Sequence, residues 1–260
     1  MPLMKQLENK TYILIGAGNM AKYLLANANA ALSCMGIYSR SPEKAALLSQ
    51  TYGITLIPSL SEINTITVDY IFLAVSDTAI PTLLNSIDSS ALCVSFSGMI
   101  DEQHLAKVAG KSMATLWPIY SITNKLNSKT NLPFVLNKED VKNKSAMSTL
   151  ARYYTTSVIE LSYEQRKAAH LAAVVLNNFV NHLYALTQEL CATQGIDPLI
   201  FNPLVQQTAD QYATLQAALL QTGPAKRGDQ ESIEKHLAIL QNTHLESIYT
   251  LLTDSIKKSS

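Results

Sequence analysis

The stretch TYILIGAGNMAKYLLANA, beginning at Thr11, limits the folds open to this chain more than any other. A run rich in β-branched and aromatic residues stops at Gly16, turns through Gly18 and becomes an apolar helix running through Met20 to Leu32. The same order then repeats. MGIYSR leads into SPEKAALLSQTYG, where Ser41 suits an N-cap, Pro42 the first helical position and Gly53 the end. ITLIP, a short helical piece after Ser59, VDYIFLAVS, TAIPTLLNSI and ALCVSFSG continue the pattern. Strands alternating with helices imply an α/β fold, a mostly parallel, doubly wound sheet with helices on both faces. Three further runs, SMATLWPIY, LPFVLN and SVIELS, extend the sheet, with a helix from Lys138 to Tyr154 before the last.

After Ser162 the strand pattern ends, which sets a sheet domain at residues 1–161 and an all-α domain at residues 162–260. SYEQRKAAHLAAVVLNNFVNHLYALTQELCATQG has helical period and closes on Gly195. PLIFNPLVQQTADQYATLQAALLQTG reads as another helix, interrupted near Pro203, and the remainder supplies one or two more. The run from Ala168 to Leu176 has no formal charge, and His170 is its only polar residue. Such a helix is expected to be buried all round or to lie in a subunit interface, which points to a homodimer through the C-terminal helices.

Twenty basic residues balance twenty acidic ones, so no net field favours nucleic acid or a membrane surface. MPLMKQLENK lacks the apolar core of a signal peptide, and no apolar run approaches the roughly 20 residues of a membrane span. The expectation is a cytoplasmic protein. Cys34, Cys93 and Cys191 stand far apart in apolar contexts that suit buried thiols. The sequence has no metal-ligand spacing, nucleophile elbow or phosphate P-loop.

GAGNMA (Gly16 to Ala21) is a GxGxxA pattern after a strand and at the opening of a helix, the context a Rossmann-like dinucleotide site requires. Gly16 permits the turn and Gly18 lets backbone approach a pyrophosphate, while Asn19 and Met20 open the helix whose free N–H groups face the phosphates. The competing reading is a glycine turn that serves geometry only. An NAD site usually has an acid about 20 residues further on. Here that place is taken by Ser39, Arg40 and Ser41, whose guanidinium and hydroxyls suit the 2′-phosphate of NADP. The alternative is a solvated arginine at a strand end. Val75 and Ser76 in AVSDTAI, and Gly98 in FSG, follow strands where an open α/β sheet holds its ligand.

GAGNMA with YSRS resembles the N-terminal domain of pyrroline-5-carboxylate reductase and of the coenzyme F420-dependent NADP oxidoreductase group. EQRKAAHLAAVVLNNF (Glu164 to Phe179), followed by LLQTGPAKRGDQESIEKHLAIL (Leu219 to Leu240), resembles a family that joins a Rossmann-like domain to a helical domain of unknown function. The resemblance implies a two-domain, dimeric NADP oxidoreductase related to pyrroline-5-carboxylate and ketopantoate reductases. Members of that family often read Leu-His-Pro where this chain has Leu116-Trp117-Pro118, so no role of that histidine transfers.

Hydride transfer asks the protein for cofactor orientation, a pocket and a proton partner. His170 is the candidate partner, with Asn177 and Asn178 beside it, unless it is a satisfied core histidine. At about 100° per residue, Asn177 shares the face of His170 and Asn178 is turned away by about 80°. Trp117, Lys226 and Arg227 are candidate substrate contacts; Arg227 could instead pair with Asp229 to fix its turn. Two functions remain open: an NADP-dependent oxidoreductase of a small imine, keto acid or hydroxy acid, or a dinucleotide-binding sensor or scaffold that has lost the chemistry.

Overall fold

A computed structural model describes residues 7–123, 132–214 and 217–259 of the chain. Its sheet has seven strands: β1 (Lys10–Ile15), β2 (Leu32–Tyr38), β3 (Tyr70–Leu73), β4 (Leu92–Ser95), β5 (Met113–Pro118), β6 (Phe134–Asn137) and β7 (Val158–Leu161). They lie in the order β2-β1-β3-β4-β5-β6-β7. The first five run parallel, β6 is antiparallel to β5, and β7 is parallel to β6. This is the Rossmann-like, doubly wound architecture implied by the strand–helix alternation. In register, Ile15 stands beside Tyr38 and Leu73, and Leu73 beside Ser95. The carboxyl ends of four strands therefore form one edge.

Side chains alternate across the sheet with period two. Tyr12, Leu14, Tyr70, Phe72 and Val94 pack on one face, against α1 (Asn19–Asn27) and α6 (Lys144–Ala151). Ile13, Ile15, Ile71, Leu73 and Cys93 pack on the other, against α3 (Leu60–Ile63) and α4 (Ile80–Ser86). Every residue of β3 is buried, as expected of a central parallel strand covered twice. Burying a side chain such as Phe72 contributes about 1.5–3 kcal/mol.

Local side-chain chemistry moves several boundaries. α1 stops at Asn27 rather than Leu32, because the Asn27 amide donates to the Tyr23 carbonyl and Asn29 Oδ1 accepts from Ala31 N–H. α2 (Pro42–Tyr52) has Ser41 at the N-cap and ends on Gly53 in the left-handed region. ITLIP forms no strand. Leu56 makes an isolated bridge to Ile37, and Pro58, which has no N–H to offer, comes two residues later. The helix expected from Lys138 starts only at Lys144, since the Asp140 carboxylate takes both the backbone and side-chain N–H groups of Asn143.

The chain divides into two compact units, Met1–Asn177 and Asn178–Ser260. In the first, α5 (Glu102–Ala109) is capped by Asp101, and α7 (Tyr163–Ala173) opens with a capping box between Ser162 and Gln165. A π-helical stretch, Val174–Phe179, comes after α7. The second unit holds α8 (Val180–Thr193), α9 (Asn202–Thr214), the short α10 (Pro224–Arg227), α11 (Gln230–Leu240) and α12 (His244–Lys258). Pro203 falls in the first turn of α9, where its missing N–H costs nothing. The middle of the helix expected through LQAALL, and the first six residues of MPLMKQLENK, lie outside the described residues. No helix among the described residues is long and apolar enough to cross a membrane.

Asp69 joins the entries of β1 and β3: its carboxylate accepts from Thr11 N–H at 2.9 Å and from Lys10 Nζ at 3.0 Å. Burial alone would raise its pKa, but Thr11 N–H, Lys10 and the Thr11 hydroxyl together hold it below the ordinary 3.8. The stability from this depressed pKa is complete above that value and is lost as pH falls through the folded one. Asp69→Asn should therefore lower the urea midpoint at pH 7, and the gap from wild type should close as the pH is taken below 3.8.

Candidate functional site

Gly16 leaves β1 with φ +116°, and a Cβ there would lie 2.1 Å from the Ala74 carbonyl oxygen. The turns after β1 and β3 thus touch through backbone, and only glycine fits. Gly16 N–H donates to Tyr38 O and Ala74 N–H to Ile15 O, both at 2.8 Å, so three strand exits are tied together. Gly18, the N-cap of α1, differs: a Cβ there would meet nothing within 4 Å, and φ is −86°. No side chain caps this helix end, which leaves its first N–H groups for an anion.

A cleft of about 510 Å³ opens outside the carboxyl ends of β1, β2 and β3. Gly16, Ser39, Arg40, Ser41, Val75 and Ser76 line it together, as a cofactor site built on GAGNMA and YSRS requires. It lies where strand order reverses between β2-β1 and β3, the switch point at which open α/β sheets bind ligands. Arg40 is the only charged residue among those lining the cleft, and it makes no ion pair among the described residues. Asn19 turns its amide to the Ile122 carbonyl at 3.2 Å, and Met20 packs on the core.

A second cluster forms at the end of β4. β5 pairs with β4 only as far as Thr115, and Leu116–Pro118 pair with β6 instead. This overrun carries Trp117 past β4 to the loop at Gly98. A Cβ on Gly98 would lie 2.8 Å from Trp117 Cε2 and 2.9 Å from His170 Cδ2. The two rings meet with centroids 5.7 Å apart. On the same loop, Ser97 donates its hydroxyl to Asp77 at 2.9 Å, which links the exits of β3 and β4.

His170, Trp117 and Gly98 thus come together within the first unit. Asn177 and Asn178 are exposed within the π-helical stretch. Bonding there runs from residue i to i+5, so a phase of about 100° per residue no longer puts Asn177 on the face of His170. Lys226 and Arg227 are exposed on α10 in the second unit. Asp229 caps α11 by accepting from Ser232 N–H at 3.1 Å and Ser232 Oγ at 2.7 Å. His236, in the same unit, bonds Tyr249 OH at 2.8 Å through Nδ1.

Burial pushes the Cys34 and Cys93 thiols up to about 11, which keeps them protonated and unsuited to nucleophilic work. No group of three or more potential metal ligands occurs among the described residues.

Sequence reasoning missed Arg166. Its side chain is fully buried and donates from Nε to Gly98 O at 3.2 Å, from one terminal nitrogen to Glu102 Oε1 at 3.1 Å, and from the other to Ile100 O and Glu102 Oε2. Asn137 at the end of β6 donates to Glu102 Oε1 at 2.7 Å. The one visible signal was position: Arg166 lies one helical turn before His170.

Residues 11–97 match the family model of NADP oxidoreductase, coenzyme F420-dependent, and residues 132–256 match a domain of unknown function, DUF2520. The N-terminal stretch is thus similar to the first family and the C-terminal stretch to the second. A candidate NADP oxidoreductase from Bacteroides fragilis is 28% identical over 97% of this chain and all of that one, at a TM-score of 0.85. Pyrroline-5-carboxylate reductase from Streptococcus pyogenes is 15% identical over 96% of this chain and 98% of its own, at 0.62. An imine reductase from Myxococcus stipitatus, solved with NAD+, is 13% identical over 96% of this chain and 93% of its own, at 0.63. The last two likenesses show the fold alone. No curated protein matches this two-domain chain by sequence.

The two glycines of the turn should separate on substitution. Gly16→Ala is expected to cost at least about 1–3 kcal/mol in strain. Gly18→Ala should cost about 1 kcal/mol or less, the scale of an N-cap change. Urea unfolding of the two variants measures both.

Proposed function

We propose that the chain is a pyridine-nucleotide-dependent oxidoreductase that prefers NADP and acts on a small polar imine, keto acid or hydroxy acid. One observation carries the reading: the Gly16 cleft is lined by Arg40 between two serines, and none of its lining residues is acidic. A 2′-phosphate suits that set, whereas the bare ribose hydroxyls of NAD would find no carboxylate. The family model over residues 11–97 supports a pyridine nucleotide, and the cleft chemistry supports the choice of NADP.

The bound nucleotide would supply or accept the hydride. Uncapped N–H groups at the start of α1 would take the pyrophosphate, and the crowded loop at Gly98 would shape the far end of the site. His170 is the proton partner for the reacting oxygen or nitrogen, its ring held beside Trp117. Exposed Leu199, Ile200, Leu204 and Tyr212 in the helical unit support pairing with a second copy.

A second reading has its own observation. Trp117 is only 7% exposed and lies against Gly98 and His170, so an indole occupies space where an enzyme needs polar groups. This favours a nucleotide-binding sensor or scaffold.

Titration with NADPH and NADH, monitored by cofactor fluorescence, tests the cofactor. Wild type should prefer NADPH, and Arg40→Ala should weaken it by about 10–100-fold, the worth of one charge-assisted contact, while leaving NADH little changed. Binding of neither nucleotide overturns the reading. In a screen of imines and keto acids, His170→Ala should keep nucleotide affinity and lose about 10²–10⁴-fold in turnover. Nucleotide binding with no turnover of any substrate class would favour the sensor.

A further inference from the structure

We propose that Arg166 is a positioning residue that holds the His170 imidazole and the Gly98 loop in one fixed geometry, acting through Glu102 and Asn137. The functional weight of this inference rests on the reading of the site given under Proposed function; the contact geometry does not. Arg166 and His170 lie four residues apart on α7, so they share a face and a change at one end of that turn moves the other. The guanidinium grips the loop at two carbonyls, Gly98 and Ile100, and at the Glu102 carboxylate in the first turn of α5. Glu102 is held in turn by the Asn137 amide. The planar fork of arginine fixes both the distance and the rotation of α7 relative to the loop; a lysine ammonium could supply the charge but not the orientation.

The neighbouring contact gives this clamp a purpose beyond packing. Gly98 leaves no room for a Cβ between its backbone, Trp117 and His170. The imidazole therefore meets the loop at van der Waals distance, and a small rotation of α7 would either drive His170 into Gly98 or lift it from Trp117. Arg166 touches neither ring of that pair in any hydrogen bond; it sets where His170 sits by fixing the helix that bears it.

Trp117 is the chain's only tryptophan, so its emission reports this cluster alone. His170→Gln sets the full size of the imidazole's effect on that emission. Arg166→Met and Glu102→Gln are each expected to reproduce most of the His170→Gln change in protein that still melts cooperatively. Added to His170→Gln, neither should change the emission further. Arg166→Lys should fall between wild type and Arg166→Met. A residue that only stabilised the fold would lower the melting temperature without this coupling. Wild-type emission in Arg166→Met and Glu102→Gln, or effects that simply add to those of His170→Gln, would overturn the proposal. Should Arg166→Met fail to fold, the isosteric Glu102→Gln decides alone. Emission is read without nucleotide, and NADPH titration of the same samples is a separate measurement. A failed clamp and a failed cofactor reading thus give different results.

Discussion

The order of three strands governs everything at the candidate site. β1 has its successor β2 on one side and β3 on the other, so the chain winds outward, returns, and winds outward again. Helices leaving on opposite faces cannot close the space above that reversal, and a crevice is left there. Its floor is set by a backbone contact, Gly16 against Ala74, that admits no side chain. The residues that line it are then dictated by register, since the ends of β1, β2 and β3 stand in one row.

The buried ion pair is a different kind of constraint. Taking Arg166 and Glu102 out of water costs several kcal/mol per ion, and their attraction offsets this only with every lone pair and proton occupied. The guanidinium has two carbonyls as well as the carboxylate, and the carboxylate has an amide as well as the guanidinium. Losing one partner of such a pair costs about 3–5 kcal/mol, whereas an apolar replacement of both is often tolerated. Retaining charges here is poorly explained by stability and better explained by orientation.

Periodicity and turn chemistry made most of the sheet unit legible. A strand stopping at a glycine, a Ser-Pro helix start and a glycine helix end each have a local cause, and each stands where those residues put it. What escaped was set by contacts distant in sequence or by competition within a few residues. Asp140 and Asn143 satisfy each other and delay a helix that propensity alone would start earlier. A single widened turn at Val174–Phe179 leaves the apolar pattern intact while shifting the helical phase of α8 beyond it, so no count of apolar positions reveals it. No motif marks Arg166 in sequence; its burial depends on Glu102, sixty-four residues away. The residues that line the candidate cleft were visible because they sit at strand ends, and the His170 cluster was only half visible because β5 outruns β4.

The buried thiols have a practical consequence. Cys93 is 1% exposed on the central sheet, and burial raises its pKa to about 11. Both the shielding and the missing thiolate character vanish once the strand leaves the core. Alkylation of Cys93 therefore proceeds only through opening of the sheet, and its rate under native conditions is a clock for that opening. The same residue that contributes nothing to the candidate chemistry records how often the scaffold beneath it comes apart.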